Sequence, residues 1–173
     1  MAHYQGIKEM ADVATWGIGS AFAALLADAA ISDLRGFRIA NRDPCLIIIL
    51  FTITSFFRLD LREVLAHLFA GCVLFAVGAA LFARGVWGGG DAKLAAAVGV
   101  WTGFAGMPRF LAAMALTGGV LALAALAARA LTARPATADA PWCARVAHGG
   151  HLPYGVAIGA AGLDWMLRTF PAG

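Results

Sequence analysis

Charged side chains are scarce in this sequence: Asp, Glu, Lys and Arg make up 13% of its 173 residues, against roughly a quarter in a soluble domain. Hydrophobic residues make up 61%, and the mean hydropathy is +0.79. The apolar stretches run along nearly the whole chain and leave no polar region long enough for a separate soluble domain. The composition therefore predicts one membrane-embedded domain over residues 1–173.

Cysteines are few, odd in number and far apart. Cys45, Cys72 and Cys143 form no CxxC pair, which argues against a disulfide framework or a structural zinc site and favours small packing residues. Cys143 with His148 and His151 is a less favoured metal site, because the glycine pair between the histidines fixes no ligand face. We expect no metal and no cofactor. A clustered basic face is also lacking, which argues against a nucleic-acid partner.

Six apolar segments are candidates for membrane-crossing helices. They lie at about residues 13–32, 44–57, 64–82, 92–106, 110–131 and 152–170. The first has about 20 residues, enough to cross a hydrocarbon core ~30 Å thick, whereas the second is ambiguous by length alone. Met107-Pro108-Arg109 separates the fourth segment from the fifth, and a polar loop over 134–151 precedes the sixth. The predicted fold is an all-α bundle of about six transmembrane helices.

The first residues of the chain indicate whether the first helix is retained, and the basic residues indicate how the chain is oriented in the membrane. The first twelve residues lack the basic region of a signal peptide, and Asp28 interrupts the apolar run behind them, so we expect a retained first helix. With six crossings and an outside N-terminus, eight of the 13 Lys and Arg residues fall on one side and five on the other. An excess of basic residues marks the cytoplasmic side. This predicts both Asp33 and Asp91 at the cytoplasmic face.

Two acids stand at the ends of apolar segments and could act together. Asp33 ends the first segment, and Asp91 follows three glycines directly before the fourth. When two carboxyl groups approach closely, charge repulsion leaves one protonated while the other acts as a base, so the pair can activate water as in aspartyl proteases. The glycines allow a sharp turn and the approach of an extended substrate strand. Arg35 and Lys93 are expected to interact with the charged acid. Taken alone, either acid could be only a helix cap.

These stretches resemble the type IV prepilin leader peptidases, membrane aspartyl proteases with a GxGD motif. That family has an Asp, basic residues and Ile-Pro-Asn at the end of its first core helix, seen here as Asp33-Leu34-Arg35 and Arg38-Ile39-Ala40-Asn41. It also has Gly-x-Gly-Asp-x-Lys before a later helix, seen here as Gly88-Gly89-Gly90-Asp91-Ala92-Lys93. A late Pro153-Tyr154-Gly155-Val156-Ala157 resembles a third family stretch. Together the matches reach from about residue 15 to about residue 165.

The resemblance implies an aspartyl endopeptidase that removes the basic leader of type IV prepilins, in the bacterial inner membrane with its site facing the cytoplasm. Asp33 and Asp91 inherit the catalytic role. A supporting or substrate-binding role falls to Gly88, Gly90, Lys93, Arg35 and Asn41. The short chain resembles the forms that serve tight-adherence (Flp-type) pili and lacks the cysteine-rich region of members that also methylate the pilin, so no methyl transfer is implied. The implied partners are the prepilin and the lipid bilayer, and a homodimer stays open.

Two other functions stay open. Ala40 stands where the family has Pro, which frees φ and restores an N–H after Asp33 and leaves room for a selective enzyme or a non-catalytic pilus-assembly membrane protein. A small transporter would use Asp28, Asp33 and Asp91 as an ion path, but it predicts acids at the midplane and symmetric halves. Intramembrane acids such as Asp28 tend to be functional, although Asp28 could simply face another helix.

Three further expectations concern packing. Asp164 and Arg168 are spaced for an i,i+4 ion pair. His67 is expected to be a hydrogen-bonded packing residue. The tryptophans are typical of belts at the membrane interfaces; they are Trp87, Trp101, Trp142 and Trp165.

Overall fold

A computed structural model describes residues 2–131, 146 and 152–170, with side chains from residue 15 to 130, at 146 and from 152 to 170. All regular structure in this part of the chain is helical. In chain order the helices are α1 (Ala2–Gly36), α2 (Arg42–Arg58), α3 (Leu61–Ala83), α4 (Gly89–Leu131) and α5 (Tyr154–Thr169). The all-α prediction is confirmed. Trp142 and the alternative metal ligands Cys143, His148 and His151 lie outside the described residues.

Three helical stretches among the described residues are long and apolar enough to cross a membrane. They are Thr15–Gly36 in α1, Leu61–Ala83, which is α3, and Gly89–Ala130 in α4. The prediction of about six crossings is not supported. Helices α2 and α5 have 17 and 16 residues and rise only about 25 Å, less than the ~30 Å core. The fourth and fifth predicted segments are both parts of α4.

Helix α4 is interrupted at Gly103. Its φ of 57° and ψ of −174° are not helical, and such a positive φ is accessible mainly to glycine. The predicted break at Met107-Pro108-Arg109 was therefore misplaced, since Pro108 lies inside the helix, five residues further on. His67 Nδ1 lies 2.7 Å from the carbonyl oxygen of Val100, which an unbroken helix would pair with residue 104. His67 thus has the hydrogen-bonded packing role expected of it.

The chain reverses direction at this break, as its contacts with α5 show. Just before α4, the ring of Trp87 lies 6.3 Å from that of Tyr154 at the start of α5. Near the break, Trp101 lies 6.5 Å from Trp165, close to the end of α5. Further on, a Cβ placed on Gly118 would again lie 3.5 Å from the Tyr154 ring. Residues 104–131 therefore return alongside α5 toward the end of the bundle where α4 begins.

Trp101 lies in the packed core of the bundle. It is 5% exposed, and its indole N–H donates to the carbonyl of Ile47 at 3.0 Å. Its ring packs against Phe22 and Phe51, with centroids 4.7 and 5.8 Å away. Trp101 is therefore a packing residue of the bundle, and its satisfied indole N–H lets the ring be buried there. Its predicted place at the level of a membrane interface stays a prediction.

At the end of the bundle near the α4 break, an ion-pair cluster joins α4 to α5. Asp164 accepts a hydrogen bond from Arg168 Nε at 3.0 Å, which confirms the predicted i,i+4 pair. It also accepts one from Arg109 Nε at 2.9 Å, a contact between distant residues that sequence spacing did not indicate. The cluster fixes the returning half of α4 against the end of α5.

Small residues allow α3 and α4 to pack closely. A Cβ placed on Gly71 would overlap the side chain of Val100 and lie 3.0 Å from the carbonyl oxygen of Ala96. A Cβ on Gly78 would lie 2.8 Å from that of Ala92. Helices in lipid depend on such close van der Waals packing, because burial of apolar surface gives no driving force between them. These two glycines therefore set the distance between α3 and α4.

We expect Gly71→Ala to lower the free energy of unfolding by roughly 1–3 kcal/mol, because an overpacked contact must separate the helices. Gly119→Ala is the matched control, since nothing lies within 4 Å of its added Cβ; it should be neutral or stabilising by up to about 1 kcal/mol. Unfolding of both variants by heat or denaturant in detergent micelles measures the difference. Equal stabilities would contradict the close packing of α3 against α4.

Candidate active site

Asp33 and Asp91 line one cavity at the end of the bundle where α1 ends and α4 begins. The cavity has a volume of about 540 Å³. A smaller adjoining one of about 250 Å³ is also lined by both acids. Asp33 lies one turn before the end of α1, and Asp91 lies in the first turn of α4. The fold thus brings together two carboxyl groups that are far apart in the sequence.

The Asp33 carboxylate is held by the first turn of α5. Asp33 is 5% exposed, and its Oδ2 accepts a hydrogen bond of 2.7 Å from the backbone N–H of Gly155. The N-cap position of α5 is Pro153, whose side chain makes no capping hydrogen bond. The first N–H groups of a helix need acceptors from outside it, and a carboxylate there also complements the helix dipole. Asp33 therefore caps α5 while it lines the cavity.

Asp91 is held in a similar way by its own helix. Its carboxylate accepts a hydrogen bond from the backbone N–H of Gly88, just before α4. This bond is one half of a capping box; the other half is missing because glycine has no side chain to return it. A Cβ on Gly88 would lie 2.5 Å from Asp91 Oδ2. The glycine therefore leaves room for the carboxylate to turn back toward the cavity.

The other glycines of this element contact the chain itself. A Cβ on Gly90 would lie 3.1 Å from Cβ of Ile39, so the loop between α1 and α2 lies directly on the start of α4. A Cβ on Gly89 would lie 3.3 Å from the Phe82 ring. The sequence predicted that these glycines admit a substrate strand, whereas at Gly89 and Gly90 the close neighbours are residues of this chain. Gly88 and Gly90 nonetheless line the smaller cavity beside both acids.

The predicted basic residues do not line the two cavities that the acids share. Lys93 Nζ donates to Asn41 Oδ1 at 2.9 Å, and both line a separate apolar cavity. Arg35 lines a third pocket together with Asp28. Asp28 forms an ion pair with Arg42, and it does not line the two cavities that Asp33 and Asp91 share. Among the described residues, the structure therefore brings the two acids together with Gly88 and Gly90, but not with Lys93, Asn41 or Arg35.

The walls of the larger cavity consist mainly of apolar residues that sequence reasoning did not assign to the site. They come from the loops next to the acids and from the adjoining ends of α3 and α5: Phe37, Phe82, Val86, Trp87, Leu152 and Tyr154. Leu152 directly precedes the Pro153–Ala157 stretch, and Tyr154 belongs to it. This stretch resembled a family pattern but carried no predicted role. That stretch also supplies Gly155, the donor to Asp33. It was the one available signal for this wall.

One wall residue has a strained backbone. Phe37 follows α1 with φ of 51°, a value that a bulky side chain adopts only when the surroundings impose it. Its N–H donates to the carbonyl of Asp33 at 2.8 Å, which closes the last turn of α1. This conformation turns the chain sharply after Asp33. The Phe37 side chain therefore faces the larger cavity, and the loop between α1 and α2 crosses Gly90.

The site offers acid–base chemistry on a bound water. Two carboxyl groups that share a cavity repel each other when both are ionised, so one tends to keep a proton. A protonated and an ionised carboxyl group together can activate water and polarise a carbonyl. Over the described part of the chain, no group of three or more His, Cys, Asp or Glu side chains could hold a metal ion.

Comparison with known proteins adds one match. Residues 20–123 match the family model of the type IV leader peptidase family. The match covers more than half of the chain and includes both Asp33 and Asp91, but it ends before α5. No curated protein and no solved structure matches the chain.

Proposed function

Because the chain belongs to the type IV leader peptidase family, we propose that it is a membrane aspartyl endopeptidase that removes the basic leader of type IV prepilins. The observation that carries this proposal is the cavity that Asp33 and Asp91 line together. Each carboxylate is held by a backbone N–H, from Gly155 and Gly88 respectively, so both approach the cavity in a fixed position. Such positioning of catalytic groups is worth several kcal/mol of the barrier.

The proposed reaction uses one water held between the two acids. The ionised carboxylate takes a proton from the water while the water oxygen attacks the scissile carbonyl carbon. The protonated carboxyl group gives its proton to the carbonyl oxygen, which yields a gem-diol. In the second step the carboxyl group that took the water proton gives it to the leaving nitrogen, and the C–N bond breaks. The other carboxylate takes a proton from a hydroxyl of the diol, which collapses to a carboxylic acid and returns the pair to its starting state. One water is consumed and no other reactant is needed.

The substrate proposal follows from the cavity wall and from the resemblance. Apolar groups such as Trp87 and Tyr154 surround the acids and suit an extended segment with apolar side chains at the scissile bond. As the resemblance implies, we take a Flp-type prepilin as the substrate, without methyl transfer. We place the protein in the bacterial inner membrane with the cavity at the cytoplasmic face, as the resemblance to the prepilin peptidases implies.

Incubation of the purified chain in detergent with a Flp-type prepilin tests the function. We expect two fragments whose masses add up to that of the precursor plus one water, with the new N-terminus directly after the basic leader. Adding a methyl donor should leave both masses unchanged. A precursor that stays intact beside a folded chain would contradict the proposal. That result would favour the non-catalytic pilus-assembly role that Ala40 leaves open.

A further inference from the structure

A second cavity lies on another face of α4, away from the two acids. It is formed between α2, α3 and the first part of α4 and has a volume of about 540 Å³. Three of its apolar wall residues are Ile48, Leu68 and Phe75, which are 38%, 38% and 47% exposed. Because α3 is a candidate membrane span, the open side of this groove faces the hydrocarbon of the bilayer.

Two cysteines also line the groove. Cys45 on α2 and Cys72 on α3 are free, and both are exposed. They are therefore not the buried packing residues that the sequence predicted. They lie on the two helices that form opposite sides of the groove.

One cation stands at the end of this apolar groove. Lys93, one turn into α4, is the only charged residue of the groove lining. Its ammonium donates to the neutral amide of Asn41, a contact that leaves its positive charge uncompensated. No carboxylate of the described residues is seen in an ion pair with Lys93. Lys93 lies at the same end of the bundle as the start of α4, which is where lipid headgroups lie if α4 enters the membrane there.

We propose that this groove binds an anionic phospholipid, with an acyl chain between α2 and α3 and the phosphate on Lys93. An apolar groove that ends in one uncompensated cation matches an apolar chain that ends in an anion. The volume lies within the range of small-molecule sites, ~300–1,000 Å³. A helical segment of a protein partner is about 10–12 Å across, so 20 Å of it would occupy roughly 2,000 Å³. The size therefore favours a lipid chain over a helix.

Native mass spectrometry of the detergent-solubilised chain tests this site without any pilin substrate. The chain is titrated with phosphatidylglycerol and phosphatidylcholine that carry the same acyl chains. We expect wild type to prefer phosphatidylglycerol about fivefold, the effect of one basic side chain at an anionic headgroup. Lys93→Gln should remove the preference and Lys93→Arg should keep it. Arg84→Gln is the matched control, because Arg84 is an exposed cation near the same end of the bundle that does not line the groove.

A second pair of variants tests the groove itself. Cys72→Trp fills it and should abolish retention of both lipids, whereas Val77→Trp adds the same bulk to an exposed position of α3 outside it and should not. Equal retention of the two lipids by wild type, or a preference that survives Lys93→Gln, would overturn the proposal. The proposal would also be overturned if a pilin precursor, but not phosphatidylglycerol, protected Cys45 and Cys72 from reaction with maleimide. Because lipid binding is read directly, the result does not depend on the proposed peptidase activity.

Discussion

Cleavage of a prepilin leader should fall by at least about 10³-fold when either Asp33 or Asp91 is replaced by Asn. An amide can neither take a proton from water nor give one to the scissile carbonyl, so either substitution removes one half of the acid–base pair. The two single variants and the double variant should be equally inactive, because residues that act as a unit are not additive. The rate of product formation in detergent, followed by gel or mass spectrometry, gives the measurement.

The control separates chemistry from folding. An Asn at position 33 keeps an oxygen that can accept from the Gly155 N–H, so Asp33→Asn should stay folded, whereas Asp33→Ala should also lose stability. Asp164→Asn, a substitution in the ion-pair cluster at the far end of the bundle, should cleave at close to the wild-type rate. Cleavage by either Asn variant at more than a tenth of the wild-type rate would refute the paired-acid mechanism.

Replacing Gly155 by Ala should lower cleavage by about 10²-fold although both acids remain. The added Cβ would lie 2.9 Å from Asp33 Oδ2 and 2.9 Å from Ile39 Cδ1, which is closer than real Cβ contacts. Either the carboxylate or the start of α5 must shift, and a displacement of about 1 Å at a reacting group can cost about 10² in rate. The cleavage rate, compared with the unfolding midpoint of the same variant, measures the effect.

Two further variants show whether the crowding at Gly155 is responsible. Gly118→Ala places its Cβ 3.5 Å from the Tyr154 ring, an ordinary contact with the same helix, and should retain activity. Ile39→Val removes the Cδ1 atom that the new methyl group meets, so the double variant with Gly155→Ala should recover part of the lost rate. A Gly155→Ala enzyme with wild-type activity would mean that the Asp33–Gly155 contact does not position the acid.

The helical fold could be predicted because long apolar stretches leave few alternatives, but the position of the helix break could not. Proline is the usual local signal for a break, and it drew the prediction to Pro108. The chain breaks at Gly103, where His67 of α3 lies against the backbone and bonds the freed carbonyl of Val100. That contact joins distant parts of the sequence, so local propensity does not contain it. The number of crossings failed for another reason, because α2 and α5 are apolar but too short to span the ~30 Å hydrocarbon core.

The two acids could be found from their motifs, but their neighbours could not be read from sequence proximity. Lys93 and Arg35 each stand two residues from an acid, which is about 200° around a helix, so the side chains point to different faces. This is why Lys93 contacts Asn41 and not Asp91. The donor to Asp33 is 122 residues away in sequence, and only the folded chain reveals it.

The bond between Asp33 and the first turn of α5 has a consequence for biosynthesis. Asp33 leaves the ribosome 122 residues before Gly155 does. Until α5 inserts and docks, Asp33 lacks the donor that holds its carboxylate, so the proposed protease should be inert. A variant in which α5 cannot dock would likewise carry both acids without the means to use them, so activity would report the docking of α5.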